Sequence, residues 1–515
     1  MTVEKLIVTH NGLLKAKYGA KFSAVNAALK ALVASDKARG MNSKVISLDS
    51  AVELKRAGGV PVTESGGERA TKAAIDALCN HHNPDYVLIV GAQDVIPHIA
   101  LRNPMNARRS TSDEDPAVPS DLPYACDAPF SRDPGRFLGP TRVVGRLPDV
   151  PGETDPAYLV RLLDIAAKYS SRPRSDYADS FVLSARVWQD STELSAENLF
   201  GSGAKVRTSP KAGPNWTTAQ LAPRIHFINC HGNTLSPTFS GEGPPETYFD
   251  AHHSPKLRGR VTEGSVIAAE CCYGAELYDP LEAGEEPGIC TTYLAEGAYG
   301  FLGSTTIAYG PSEGNGQADL ICQYFIEAVL KGASLGRAAL EARQRFIAQY
   351  THQDPSDLKT VAQFILLGDP SVHPVKAPTH NFQKSKAFAK SKSSGLIQMS
   401  SRTFRRERMT RTGINLGRTV GAAVSVQSRL SKAVRDLLLA AAKESGIVAP
   451  RIESWKIRFP ASSQGTIPPR AQKRMIHAVV GNAASDGQAN ARKVVAIIAT
   501  VEGRHVLHVR RVHSR

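Results

Sequence analysis

Short apolar runs closed by glycine or a polar turn alternate along the first 375 residues with segments whose apolar positions recur every three or four residues. "KLIVTH" predicts a strand, Lys15–Ala38 a helix, and "SKVISLD" a second strand. "ERATKAAIDALCNHH" then reads as a helix and "DYVLIVGAQDVIPH" as a buried strand that ends in a glycine-containing loop. After a loop-rich stretch and the strand, turn and helix of "RVVGRLPDVPGETDPAYLVRLLDIAAKY", the pattern restarts at "DSFVLSARVW". Further strands are expected in "RIHFINCHG", "GSVIAAECC", "AYGFLGSTTIAYG" and "VAQFILLGDPSVHPV", with helices over Gln317–Lys331 and Leu335–Tyr350. This alternation predicts an α/β fold with a mostly parallel sheet flanked by helices, in which the residues directly after each strand line the ligand edge.

The pattern divides the chain into sub-domains at 1–175 and 176–375, a flexible linker at 376–427 and a small α+β domain at 428–515. The linker is expected from the Ser-, Lys- and Arg-rich runs "KSKAFAKSKSSG" and "SRTFRRERMTRTG". In the last domain "SRLSKAVRDLLLAAAKESGI" predicts a helix, and "SWKIRFP", "KRMIHAVVGNA" and the hairpin "KVVAIIATVEGRHVLHVRRV" predict strands.

Charge sharpens that division. Residues 376–515 carry 27 Lys and Arg against 6 Asp and Glu, a net of +21, whereas residues 1–375 carry 36 against 42, a net of −6. A mildly acidic body therefore continues into a strongly basic region, whose fitting partners are polyanions such as nucleic acid. Aromatic residues there are few, which argues against a base-stacking platform, so a docking or regulatory module and a site of self-cleavage in the linker stand beside that reading. No run reaches the roughly 18 apolar residues of a membrane helix, and the start lacks the form of a secretory signal. The seven cysteines are odd in number and two are adjacent, which argues against a disulfide framework and for a reducing, cytoplasmic setting.

Two strand ends carry the candidate chemistry. "RIHFINCHGN" places His231 and Gly232 directly after an apolar run, and "VIAAECCYGA" places Cys271 and Cys272 after another. Parallel neighbours in one sheet deliver such residues to the same edge, where a histidine activates a thiol and glycines let main-chain amides approach an oxyanion. The order His then Cys is similar to that of caspases. A structural histidine and an inert buried cysteine are the bland alternative. Zinc is not expected, because the Cys and His spacings do not match metal sites, and "GSGAKVRTSPKAG" lacks the ending of a phosphate loop. "LLGDP" around Asp369 reads as a structural strand-to-loop element.

Eight blocks, "DYVLIVGAQDVIP", "SDLPYA", "VVGRLPD", "FINCHGN", "AECCYGA", "FLGSTTIAYG", "GASLGRAALEAR" and "FILLGDPSV", resemble in order the gingipain-like cysteine peptidases of the caspase-fold clan, from about residue 5 to residue 375. The resemblance implies a caspase-like fold and peptide-bond hydrolysis by a His/Cys dyad without a cofactor. It maps the catalytic histidine onto His231 and the nucleophile onto Cys272, with Cys271 as the alternative, and the oxyanion hole onto the amides of Gly232 and Cys272. It places Asp121 of "SDLPYA" at the base of an S1 pocket for arginine, beside the plainer reading of a loop cap. The expected activity is an endopeptidase acting after Arg or Lys on protein or peptide, gated by a partner, a ligand or self-cleavage. The competing expectation is a silent scaffold of the same fold whose basic region holds nucleic acid or a partner protein.

Overall fold

The computed structural model describes residues 3–63, 67–106, 113–243, 247–311, 313–376, 401–428, 430–448, 450–463, 467–482, 494–503 and 505–515. Ten strands form the central sheet: β1 (Lys5–Thr9), β2 (Ser43–Ser47), β3 (Tyr86–Val90), β4 (Val144–Leu147), β5 (Ser180–Ala185), β6 (Val206–Ser209), β7 (Ile225–Asn229), β8 (Val266–Ala269), β9 (Gly300–Ser304) and β10 (Phe364–Gly368). Their order is β2-β1-β3-β4-β10-β9-β8-β7-β5-β6. Every pairing is parallel except β9 with β10. The Leu-, Ile- and Val-rich central strands are buried over their whole length, as a sheet covered on both faces by helices requires. The fold is the expected α/β architecture, a mostly parallel sheet flanked by helices.

The antiparallel junction lies where β10 crosses back to pair with β4 of the first half. Just after it, Asp369 forms a buried ion pair with Lys5, which also reaches Asp36 at 2.9 Å. The loop in "LLGDP" thus ties the end of β10 to the start of β1.

Residues 377–400 of the expected linker lie outside the described residues, but the rest differs from that expectation: Ser401–Thr419 is a helix and Gly421–Ser425 a strand. Gly413 and Gly417, about one turn apart, give this polar helix a flat side against Gly139 and Pro140. A Cβ on Gly139 would meet the Gly413 carbonyl at 2.8 Å. Gln344 donates to the Met409 carbonyl at 2.8 Å, and Arg406 pairs with Asp85 at 3.2 Å. Composition suggests an open chain; two glycines and two polar bonds make it a packed helix.

The last part forms an antiparallel sheet of Arg451–Arg458, Met475–Asn482, Val494–Glu502 and His505–Ser514. Helix Lys432–Glu444 covers it with Val434, Leu438 and Ala442 on Val479, Val495 and Ile497. Both edges of this sheet continue into the body formed by residues 1–375. Gly421–Ser425 pairs in parallel with His352–Gln353, and at the far edge His505–Ser514 pairs antiparallel with Tyr309–Pro311. No helix among the described residues is long and apolar enough to cross a membrane.

Candidate active site

Strands β7 and β8 pair in parallel with Ile228 opposite Ala269, so residues three positions further on, His231 and Cys272, leave the sheet side by side. Gly232 lies directly on the Cys272 main chain: a Cβ there would fall on the Cys272 carbonyl, so only glycine fits. His231 and Gly232 continue into a small sheet with Thr238–Gly243 and Thr247–His253. Its second strand brings in Glu242, a buried carboxylate that accepts from His231 Nε2 at 2.7 Å. That bond fixes the ring's orientation. Nothing in "TFSGEG" marks Glu242 in the sequence beyond a carboxylate in a short apolar-polar strand.

The two cysteines part company after β8. Cys271 turns into the core with its thiol 3.8 Å from the Ile228 carbonyl, and burial pushes its pKa well up. Cys272 turns instead toward Ala308, whose amide donates to its Sγ at 3.2 Å. Its thiol is pushed up to about 12, first by burial, with the Ala308 amide opposing that shift.

Across the cleft runs the strand His505–Ser514, in antiparallel register with Tyr309–Pro311: Val512 opposite Pro311, His513 opposite Gly310 and Ser514 opposite Tyr309. Arg515 follows. Its amide donates to the Ala308 carbonyl at 2.9 Å, and its main-chain oxygen accepts from the Cys272 amide at 3.1 Å. Its side chain is almost wholly buried, with Nη2 at 2.9 and 3.2 Å from the two oxygens of Asp319 and the guanidinium 4.6 Å from the Trp188 ring centre. Trp188 in turn packs against the His231 ring, with centroids 4.3 Å apart and the planes tilted by 55°. Gly310 supplies the remaining wall; a Cβ there would occupy the place of the guanidinium.

Beneath the pocket lies Glu270, fully buried at the end of β8. Burial and then the Asp319 charge raise its carboxyl well above the usual range, while Arg515 opposes that rise. Two carboxyls this close favour keeping one proton between them, and a guanidinium beside them lowers that cost. Sequence reasoning passed over both acids. Glu270 stands inside the apolar run "VIAAECC", where a buried carboxylate is a signal; Asp319 looks like an ordinary helix cap, and its Oδ2 does accept from the Gly316 amide at 3.1 Å.

A second buried cluster supports the walls. Lys359 Nζ donates to Asp113 at 2.6 Å and to Asp115 at 2.8 Å, Tyr309 donates to Asp113 at 2.7 Å, and Tyr273 donates to Asp115 at 2.7 Å. The residue after Cys272 and the strand that pairs with His505–Ser514 are thereby held by one network.

The expected place of Asp121 needs correction. Both of its oxygens are occupied by Arg146, Nε at 2.9 Å and Nη2 at 2.6 Å, and Arg146 also donates to the carbonyls of Gly91 and Ile96 at 2.8 Å. Burial works to raise the Asp121 carboxyl, but Arg146 and then His98 outweigh it and hold it low. Asp121 is thus an internal counter-ion of Arg146, which joins it to the ends of β3 and β4.

Residues 224–375 match the family described as Peptidase family C25. No curated protein matches the chain. Among solved structures it is similar to a protease at 12% identity and a TM-score of 0.47, over 99% of this chain and 97% of that one. It is also similar to the Saccharomyces cerevisiae separase–securin complex at 13% identity and a TM-score of 0.29, over 45% of this chain and 14% of that one.

Proposed function

We propose that this chain is a cysteine-type peptidase, a reading supported by the match of residues 224–375 to Peptidase family C25, and that it hydrolyses peptide bonds after arginine through His231 and Cys272. The observation that carries this reading is Arg515, whose oxygen sits on the Cys272 amide while its guanidinium sits on Asp319. An arginine at the cleaved position of an extended peptide would make the same contacts.

In that reaction His231 takes the Cys272 proton and the sulfur attacks the carbonyl carbon. The resulting oxyanion is held by the amide of Cys272, with that of Gly232 as its neighbour; one such donor contributes about 10²–10³ in rate. As the C–N bond breaks, His231 returns the proton to the leaving amine, and water then hydrolyses the thioester, releasing the new carboxylate and restoring the thiol. Glu242 keeps the imidazole oriented throughout. Asp319, with Glu270 behind it, supplies the negative charge that selects arginine, and Trp188 and Gly310 shape the slot.

All seven cysteines are free and buried, which supports the reading of a cytoplasmic, reducing setting. Gating by a regulatory partner or ligand, and polyanion binding by the basic region, stay within this proposal as its outer parts. Arg406, Arg510 and Arg515 of that region already face carboxylates of the body, so part of the charge imbalance has an internal use. The test is turnover of fluorogenic peptides ending in Arg, Lys or Asp by the full chain and by Cys272→Ala. Hydrolysis after Arg that vanishes in the variant supports the reading; equal rates on all three peptides, or in the variant, overturn it. A silent scaffold would give no turnover at all.

A further inference from the structure

We infer that the peptide cleft contains a second arginine site, formed by Asp354 and Asp357 five residues upstream of the cleaved position, and that the strand His505–Ser514 with Arg515 fills both arginine sites in cis. The inference rests on the reading of the Arg515 pocket as the site for the arginine that is cleaved.

Arg510 stands five residues before Arg515 on the same strand. Its Nη2 meets Asp354, reaches Asp357 at 2.8 Å and donates to Ser356 Oγ at 3.2 Å. Both acids belong to the peptidase body, at the start of helix Pro355–Gln363, and neither depends on Arg510 for its position. Asp354 caps the helix by accepting from the amides of Ser356 at 2.8 Å and Asp357 at 3.1 Å. Asp357 is held by Gln317 Nε2 at 3.1 Å, and Gln317 opens the helix that carries Asp319. The two acidic sites are thus built on neighbouring helix starts joined through Gln317, which donates to Asp357 and to Ser356 Oγ.

The strand between them is held as a peptide ligand would be. Residues 512–514 pair with Tyr309–Pro311, adding a strand to an edge of the body, so main-chain bonds supply sequence-independent binding and the side-chain sites supply selection. Residues an odd number apart point to opposite faces, and five residues of strand span about 16 Å. Arg510 and Arg515 therefore grip the cleft from its two sides and at its two ends. The class of ligand that fits is an extended peptide with arginine at the cleaved position and a second arginine five residues before it. A substrate of that kind has to displace the resident strand, and with the strand in place Cys272 is 3% exposed.

The test follows alkylation of Cys272 by iodoacetamide in the full chain, located by mass spectrometry of the digest. Wild type is compared with Arg510→Ala/Arg515→Ala, and with the Gln pair should the alanines unfold the chain. Cys272 of the double variant is expected to react about tenfold faster than that of wild type, since two charge-assisted contacts no longer hold the strand. In the double variant the free peptide Arg-Ala-Val-His-Ser-Arg is expected to protect Cys272 at about tenfold lower concentration than Ala-Ala-Val-His-Ser-Arg, a difference that Asp357→Asn removes. Equal protection by the two peptides overturns the second arginine site, and equal alkylation of wild type and variant overturns occupancy in cis. Neither readout needs turnover, so a chain that behaves as expected here yet hydrolyses nothing loses the peptidase reading alone.

Discussion

The main-chain amide of Cys272 donates to the main-chain oxygen of Arg515 at 3.1 Å, which in the proposed reading puts Arg515 in the place of a substrate arginine. The pocket around its side chain then makes a prediction about selectivity. Asp319→Asn keeps the size and the cap of the helix but removes the charge, and is expected to lower kcat/KM on Arg-ended peptides about 10²-fold. Gly310→Ala places a methyl group where the guanidinium sits and is expected to abolish cleavage after Arg while the fold is kept. Kinetics of both variants on Arg- and Lys-ended peptides check this. Unchanged preference in both would remove the pocket from the account.

The adjacent cysteines differ in surroundings, and the difference is measurable. Cys272→Ala removes the proposed nucleophile and is expected to leave no turnover while the chain stays folded. Cys271→Ala deletes a thiol from a closed core position and is expected to cost about 1 kcal/mol of stability with turnover retained. Thermal melts beside peptide kinetics separate the two; activity lost only in Cys271→Ala would reverse the roles.

The parallel sheet was legible because each of its strands is a short apolar run closed by a turn, and the placing of His231 and Cys272 just past neighbouring parallel strands could be read from the two apolar runs before them. Other parts rest on partners distant in sequence, and those were not legible. Glu242 joins the site through an antiparallel strand that returns beside His231, and Asp319 through a helix start some 47 residues beyond Cys272. Asp121 was misplaced because a carboxylate in a loop looks the same whether its arginine arrives from a ligand or, as here, from β4 as Arg146. The basic region suggested an external polyanion, since its sequence does not reveal that Arg510 and Arg515 turn back onto the acidic body.

Glu242 acts through His231 and is a positioning residue. Glu242→Gln keeps a hydrogen-bond acceptor but gives up the charge that favours the imidazolium, so kcat is expected to fall about 10²–10⁴-fold. The same change lowers the pH at which His231 loses its proton, and the acidic limb of the kcat profile is expected to move down with it. A purely structural Glu242 would lower kcat and leave the limb in place.

Asp121 now carries a stability prediction. Removing it leaves Arg146, with no exposure of its side chain, as an unpaired buried charge. Asp121→Ala is expected to cost about 3–5 kcal/mol in denaturant unfolding. Activity of whatever remains folded is expected to fall equally on Arg- and Lys-ended peptides. A selective loss on Arg would return Asp121 to the pocket.

Asp357 makes the grip on Arg510 sensitive to pH. Burial raises its carboxyl first, Arg510 opposes the rise and Asp354 adds to it, leaving the group at about 6. The other titratable neighbours, His352 and Tyr350, are shifted toward their neutral forms mainly by burial. Above about 6, Asp357 is ionised and holds Arg510; below it, the proton removes one of the two carboxylates and the strand is held less tightly. The effect on global stability has the opposite sign. A carboxyl raised in the folded state binds more protons there than in the unfolded chain, so its contribution is full below the unfolded value and is lost as pH rises through about 6. Strand docking and this part of the folding free energy are therefore expected to move in opposite directions between pH 5 and pH 7. The ratio of Cys272 alkylation rates in Asp357→Asn and wild type checks it, since the thiol's own titration cancels: a ratio near one at the acidic end and well above one at neutral pH is expected, and a ratio that does not change with pH would show that Asp357 does not set the hold on the strand.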